Sequence, residues 1–286
     1  MLALIQELGG CLHKTDLQKY LFLLSTLQNE KSYDFVPYKY GCFSFQAYHD
    51  KRYLTETGYL LDNENWTLAT DVNFKPSLSA SDAACIRRTK LQFGSLRGDQ
   101  LIHHVYTTYP YYAINSKIAE KILSSIELDA VETCRPKKTG SVLCSIGYEG
   151  KSLEEFLNIL IKQNIKVLCD VRKNPISRKY GFSKNTLMNA LISLGIEYKH
   201  FASLGIDTDK RKELVTQADY DKLFSEYEKT VLINNVRDVD VLRNVLGTSK
   251  RAAVMCYEKS PAQCHRTRVA RAVLNSGADK IDFLEV

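Results

Sequence analysis

The sequence predicts an α/β protein, a mostly parallel sheet covered by helices on both faces, preceded by a mainly helical, winged-helix-like domain. Three observations carry that prediction. From residue 142 onward, short apolar runs alternate with stretches of helical periodicity, the pattern of strand–helix–strand units. Most of those runs are short and largely apolar, as strands buried on both faces require. Before residue 135 the spacing is helical and aromatic instead, and a basic, turn-prone stretch around Arg135-Pro136-Lys137-Lys138-Thr139-Gly140-Ser141 separates the two grammars. The expected division is a domain over 1–135, a linker over 136–141 and an α/β domain over 142–286.

In the first domain, Leu2, Ile5, Leu8 and Leu12 have helical spacing. A second helix starts at Thr15-Asp16 and carries Leu17, Tyr20, Leu21, Leu24 and Leu27. The aromatic run Tyr33 to Phe45, folded about Gly41, reads as a hairpin. A helix over Gln46 to Thr57 follows, then Tyr59-Leu60-Leu61 with Trp66-Thr67-Leu68 as a second strand. Asp82 to Ser125 returns to helix, with Tyr106, Tyr109, Tyr111 and Tyr112 as an aromatic cluster. This order outlines a winged helix.

In the second domain, strands are expected at Val142–Ile146, Val167–Val171, Ile196–Phe201, Ala252–Tyr257 and Lys280–Leu284. Helices are expected at Ser152–Gln163, with Ser152 and Glu155 as a capping box, and at Ser183–Leu194, closed by Gly195. Others run through Tyr220–Leu232, Val239–Leu246 and Pro261–Leu274.

A chain of 286 residues with 44% hydrophobic and 25% charged residues falls outside the collagen-like, disordered and disulfide-scaffold classes. At that length about 70–75% of the unfolded surface becomes buried, so no metal or disulfide is needed for folding. No apolar stretch approaches the ~18–20 residues of a bilayer span. The opening Met1-Leu2-Ala3-Leu4-Ile5-Gln6-Glu7 lacks the basic start of a signal peptide, so no membrane partner and a cytoplasmic location are expected. The eight cysteines contain no C-x-x-C pair and read as free thiols, with Cys144 and Cys169 as core residues. A formal charge of +6 permits a nucleic-acid or phosphate partner without requiring one.

In parallel sheets the ligand lies beyond the carboxyl ends of the strands, and ionisable residues collect there. Tyr148 and Glu149 follow the first strand. Asp170, Arg172, Asn174, Ser177, Arg178 and, further on, Lys184 follow the second, and His200 ends the third. Cys256, Glu258, Cys264, His265 and Arg266 follow the fourth. Asp170 and Glu258 are candidates for acid–base work, with a structural ion pair from Asp170 to Arg172 or Arg178 as the alternative. Arg172, Arg178 and Arg266 are candidates for phosphate contacts. Pro261 as first helical residue would put Cys264 and His265 in the first turn, where the helix dipole favours anions and lowers a thiol pKa. Cys264 is therefore expected to be the reactive thiol, for anion positioning or nucleophilic attack with His265. Tyr148, Glu149, Asn174, Ser177, Lys184 and His200 are expected to contact substrate. A zinc site from Cys256, Cys264 and His265 has unusual spacing and no evident fourth ligand, so no metal is expected.

Two resemblances add to this reading. Leu17-Gln18-Lys19-Tyr20-Leu21-Phe22-Leu23-Leu24, Tyr40-Gly41-Cys42-Phe43-Ser44 and Asp50…Leu54…Gly58-Tyr59-Leu60 resemble Panacea-type domains, although Cys42 stands where that family usually has proline. The resemblance implies a winged-helix-like core and a setting of toxin neutralisation or phage defence. Ile146-Gly147-Tyr148-Glu149-Gly150-Lys151-Ser152-Leu153, Asp170-Val171-Arg172-Lys173-Asn174-Pro175-Ile176-Ser177-Arg178, Gly181-Phe182-Ser183-Lys184 and Cys256-Tyr257-Glu258-Lys259-Ser260-Pro261-Ala262-Gln263-Cys264-His265-Arg266 resemble domain-of-unknown-function family 488. Leu204-Gly205 also fits, with Ile206 in place of a frequent second glycine. Members are often labelled as DNA repair proteins, so the resemblance implies a nucleic-acid setting without supplying a reaction.

The expected function is nucleic-acid processing, on DNA or a modified nucleotide, in repair or phage defence. The alternatives are a non-catalytic nucleotide-sensing or toxin–antitoxin regulatory protein and a DNA-binding regulator. Cofactors are left open. DNA or a nucleotide is the expected partner, with a protein partner through the first domain as a further option.

Overall fold

The computed structural model describes residues 1–211, 214–275 and 281–286. The chain divides into two compact units, Met1–Arg135 and Pro136–Val286.

The first unit is mainly helical: α1 (Leu2–Glu7), α2 (Lys14–Leu27), α3 (Phe45–Glu56), α4 (Ala80–Phe93), α5 (Gly98–Thr108), α6 (Ala119–Ile122) and α7 (Ser125–Thr133). Two antiparallel ribbons accompany them, β1 (Cys11–Leu12) with β4 (Trp66–Thr67), and β2 (Val36–Tyr38) with β3 (Gly41–Phe43). α1 is shorter than its apolar spacing suggests, because Gly9 and Gly10 adopt positive φ and redirect Leu12 into β1. Trp66-Thr67 therefore pairs with Cys11-Leu12, while Leu60 and Leu68 form a bridge beside it. His13 caps α2, its Nδ1 accepting the Thr15 amide.

The helical spacing of α2 does not reveal that the helix buries polar groups as well. Lys19 Nζ donates to the Tyr40 and Cys42 carbonyls, and Gln18 Oε1 accepts the Ser44 amide at 2.8 Å. These contacts fix the β2–β3 hairpin on the helix. Burial holds the Lys19 amine below its ordinary range.

The second unit is a five-stranded sheet of β5 (Val142–Gly147), β6 (Val167–Asp170), β7 (Glu197–His200), β8 (Arg251–Cys256) and β9 (Asp282–Glu285). Its spatial order is β7-β6-β8-β5-β9 and its pairings are parallel. Lys280, expected in the last strand, lies outside the described residues. β5, β6 and β8 are buried along their whole length, as strands covered on both faces must be. The edge strands β7 and β9 carry Glu197, Lys199, Asp282 and Glu285, charges that discourage edge-to-edge pairing.

Helices α8 (Leu153–Lys162), α9 (Lys184–Ser193), α10 (Gln217–Tyr227), α11 (Val236–Ser249) and α12 (Arg266–Asn275) surround the sheet. A π-helical turn over Glu228–Leu232 follows α10. The Ser152–Glu155 capping box opens α8. On one face, Val167, Cys169, Val171, Ala252, Val254 and Cys256 pack against Phe224, Tyr227 and the apolar sides of α11 and α12.

Chain order positions the site. From β5 the chain steps to β6 and then outward to β7. It then reverses across the sheet to β8 and outward to β9. Right-handed crossovers run in opposite senses therefore leave β6 and β8, which are neighbours, toward opposite faces. The loops after them diverge, and a crevice opens at the carboxyl ends of this pair.

The start of α12 departs from expectation. Pro261–Gln263 form a separate 3₁₀ turn, closed by the Gln263 and Cys264 amides on the Ser260 and Pro261 carbonyls. Ser260 makes no side-chain cap, and Cys264 is extended at φ −134 and ψ 134. The α-helix begins at Arg266, so Cys264 and His265 precede it rather than occupying its first turn.

Candidate functional site

A cleft of about 390 Å³ occupies the crevice between the β6 and β8 ends. Tyr148, Arg172, Asn174, Ser177, Arg178, Glu258 and His265 line it, as the sequence leads one to expect. Cys256, placed at this edge by the sequence without a substrate role, lines it as well, as do Lys173, Ile176, Ile206 and Tyr257, which were not among the expected site residues. Glu149, Asp170, Lys184, His200, Cys264 and Arg266 are not part of its wall.

Asp170 ends β6 fully buried, with both carboxylate oxygens occupied. Oδ1 accepts from the Arg172 amide at 3.0 Å and Nε at 2.9 Å. Oδ2 accepts from Arg172 Nη2 at 2.6 Å and the Tyr198 hydroxyl at 2.8 Å. Arg172 Nη1 donates in turn to the Tyr148 hydroxyl at 3.0 Å and the Phe182 carbonyl at 2.9 Å. Burial opposes the guanidinium charge, but the hydrogen-bonded Asp170 carboxylate outweighs it and holds Arg172 above its ordinary range. Burial, reinforced by Asp170, likewise raises the Tyr198 phenol. The geometry is that of a structural ion pair organising the loop. It corrects the expected acid–base role of Asp170 and phosphate role of Arg172.

Arg266 is occupied in the same way. It is 1% exposed, and its Nε, Nη1 and Nη2 donate to Ser145 Oγ, the Glu258 carbonyl and the Lys259 carbonyl. Its guanidinium ties the end of β5 to the loop after β8 and is closed to an outside phosphate. Gly147 permits this closeness, because a Cβ there would lie 1.9 Å from the Glu258 carbonyl oxygen. Glu149 locks the same two loops, its Oε2 accepting the Lys259 amide at 2.8 Å.

The two expected histidines serve the backbone after β6. His200 Nε2 meets the Arg172 carbonyl at 2.9 Å, and His265 Nε2 meets the Val171 carbonyl at 2.9 Å. A carbonyl only accepts, so each Nε2 carries the proton and each Nδ1 is left as an acceptor in the neutral ring. Tyr148 stacks on Phe182 with centroids 4.2 Å apart, giving the cleft a rigid aromatic wall, and Tyr257 meets Tyr148 edge-on. Ser177 and Ser183 exchange hydrogen bonds that shape the loop bearing Arg178. Arg178 is exposed, as is Lys184, which starts α9 away from the cleft wall. Lys173 is exposed beside Asp207, at 3.9 Å.

Cys264 is fully buried, and burial is the main cause that raises its thiol well above the ordinary range. This corrects the expected activated thiol: Cys264 precedes α12 instead of lying in its first turn, and burial beside the Cys256 thiol disfavours the thiolate. Burial also pushes Cys42 and Cys144 up to about 11 and Cys169 up to about 12. Brief alkylation of the native, metal-free chain near neutral pH should therefore label exposed Cys11 first and leave Cys264 unmodified. Peptide mass spectrometry checks this; early labelling of Cys264 would contradict its burial.

Around Cys264 lies the densest group of metal-ligating atoms among the described residues. One ligand atom each from Cys256, Cys264 and His265 lies within 4.8 Å of the others. Glu258 Oε2 accepts from both thiols, at 3.2 Å from Cys256 Sγ and 2.9 Å from Cys264 Sγ.

Together these features define an α/β domain with a cleft at the switch point of a parallel sheet. Residues 152–273 match the model of the family described as Domain of unknown function DUF488, a similarity that lies within the C-terminal unit. No curated protein and no solved structure matches the chain. No helix among the described residues is long and apolar enough to cross a membrane.

Proposed function

We propose that the cleft binds a nucleotide or a nucleic-acid strand and that the protein processes it, in DNA repair or phage defence. The observation that carries this reading is the pairing of exposed cations with aromatic surface at one cleft. Arg178 and Lys173 stand on the loop after β6, and Tyr257, 47% exposed, stands on the loop after β8. Guanidinium and ammonium groups suit phosphate oxygens, and a tyrosine face suits a base. Arg172 and Arg266 support the loops, so the phosphate role passes to Arg178 and Lys173. Glu258, half-buried in the cleft wall, is the carboxylate within reach of a ligand for acid–base work, a role Asp170 is too enclosed to fill.

The test is a binding titration of the full chain with nucleoside monophosphates and a short fluorescent single-stranded DNA. Charge-assisted contacts contribute about 1.5–3 kcal/mol, so Arg178→Ala with Lys173→Ala should weaken binding by at least roughly tenfold. The DNA affinity should also lose part of its salt dependence. Unchanged affinity in the double variant would overturn the cleft as the phosphate site. Saturable binding without turnover would assign nucleotide sensing instead of processing.

A further inference from the structure

The cluster beneath the cleft has the composition and spacing of a metal site. Its donors are two thiols, an imidazole and a carboxylate, from Cys256 at the end of β8 and the loop that follows it. Cys256 Sγ lies 3.7 Å from His265 Nδ1, and Glu258 Oε2 lies 3.2 and 2.9 Å from the two sulfurs. A tetrahedral ion with metal–sulfur bonds of about 2.3 Å and metal–nitrogen or metal–oxygen bonds of about 2.0 Å sets neighbouring ligands roughly 3.5 Å apart. Three donor pairs stand at 2.9–3.7 Å, near that separation, and the Cys256, Cys264 and His265 ligand atoms lie within 4.8 Å of one another.

The histidine is oriented as a ligand. Its Nε2 proton goes to the Val171 carbonyl, so Nδ1 meets the sulfurs with a lone pair rather than a proton. Donation of the second ring N–H to a backbone carbonyl is how proteins commonly fix a metal-binding imidazole. Glu258 is held through its own backbone, whose carbonyl accepts from Arg266 Nη1 at 2.5 Å. Cys256, Cys264 and His265 are at most 3% exposed, whereas Glu258 is half-buried at the cleft wall.

We propose that Cys256, Cys264, His265 Nδ1 and Glu258 bind one divalent ion of the zinc class. Thiolate and imidazole donors select borderline-soft ions over calcium or magnesium, which take oxygen ligands. Binding forms four metal–ligand bonds and releases the two thiol protons to solvent, with no change of oxidation state. Two thiolates and one carboxylate against a dication leave one negative charge, beside the buried Arg266 guanidinium. Glu258 is the exchangeable ligand, because it is the most exposed of the donors that line the cleft, whereas Cys256 and His265 are buried. A water or phosphate oxygen entering there frees the carboxylate for the acid–base work assigned above. That link to substrate rests on the nucleotide reading; the metal site itself does not.

The experiment uses the full chain, reduced and stripped of metal, titrated with Co²⁺ in the absence of nucleotide. The expected result is sulfur-to-cobalt charge-transfer absorption that saturates at a single ion per chain and is abolished by Zn²⁺. Cys256→Ser and Cys264→Ser should each weaken binding at least tenfold. Glu258→Gln should weaken it less and keep the charge-transfer band, while Cys11→Ser with Cys134→Ser should change nothing. Zn²⁺ should also protect Cys256 and Cys264 of the unaltered protein from alkylation in mild denaturant, a readout independent of how the variants fold. Absence of the band in the reduced protein, its survival in the Cys256→Ser/Cys264→Ser double variant, or a persistent Cys256–Cys264 disulfide that excludes cobalt overturns the site. Nucleotide affinity is measured separately on Arg178 and Lys173 variants, so failure of either reading leaves the other standing.

Discussion

Replacing Asp170 by Asn should destabilise the C-terminal unit by about 3–5 kcal/mol, the cost of leaving a buried partner charge uncompensated. The substitution preserves side-chain shape and removes the charge that Arg172 faces at 2.6 Å. Arg172 is only 6% exposed, so water cannot replace the lost carboxylate, and an amide turns one acceptor into a donor against Nη2 or the Tyr198 hydroxyl. Arg172→Met should be damaging for the mirror-image reason. The double variant should cost less than the sum, because neither charge is then stranded. Amide hydrogen exchange across Val167–Asp170 of the full chain is the suitable readout, since two units need not unfold in one transition. A change below about 0.5 kcal/mol for Asp170→Asn would mean that the pair is solvated and that Asp170 is available for chemistry.

The Asp170–Arg172 pair also illustrates what the sequence reveals and what it leaves out. A carboxylate at the end of an apolar strand implies a partner or a task, and spacing alone does not choose between them. The choice is made by Tyr198, which the register puts on β7 opposite Leu168, two residues from His200 opposite Asp170. Period-two alternation places Tyr198 on the face of Asp170, so the signal was present once the strands were paired.

The parallel sheet itself was legible because β5, β6 and β8 are largely apolar and each is followed by polar residues. The loop-closing roles of Arg266 and Glu149 were not, because they depend on how closely two loops distant in sequence approach. The start of α12 misled for a local reason. Ser260-Pro261 has the composition of a helix start, yet it closes a 3₁₀ turn, and the chain extends again at Cys264 before the helix begins. The fourth donor of the thiol cluster, Glu258, was not legible as a ligand in the sequence, where it reads as an acid–base candidate. That it faces both sulfurs became evident only when the 3₁₀ turn brought Cys264 back toward Cys256.

Gly147→Ala should produce the second large effect, and it should fall on the cleft floor rather than on the sheet. The added Cβ would lie 1.9 Å from the Glu258 carbonyl oxygen and 2.7 Å from its carbon, both backbone atoms that a rotamer change cannot move. The loop after β8 must shift. That shift weakens the Arg266 Nη1 bond to the Glu258 carbonyl and the Glu149 amide bond to the Tyr257 carbonyl, at 2.5 and 2.9 Å. Overpacking of this kind costs about 1–3 kcal/mol. The larger consequence is positional: the Glu258 carboxylate moves away from Cys256 and Cys264, so Co²⁺ affinity should fall by more than for Glu258→Gln. Gly150→Ala separates sterics from backbone strain. Gly150 has φ of +78 and its Cβ would meet nothing within 4 Å, so that variant should cost roughly 1–2 kcal/mol of backbone strain. It should leave cobalt binding intact. Equal cobalt affinity in Gly147→Ala and the unaltered protein would mean that the Glu258 loop yields without carrying its carboxylate along, and that the contact with Gly147 does not position the cluster.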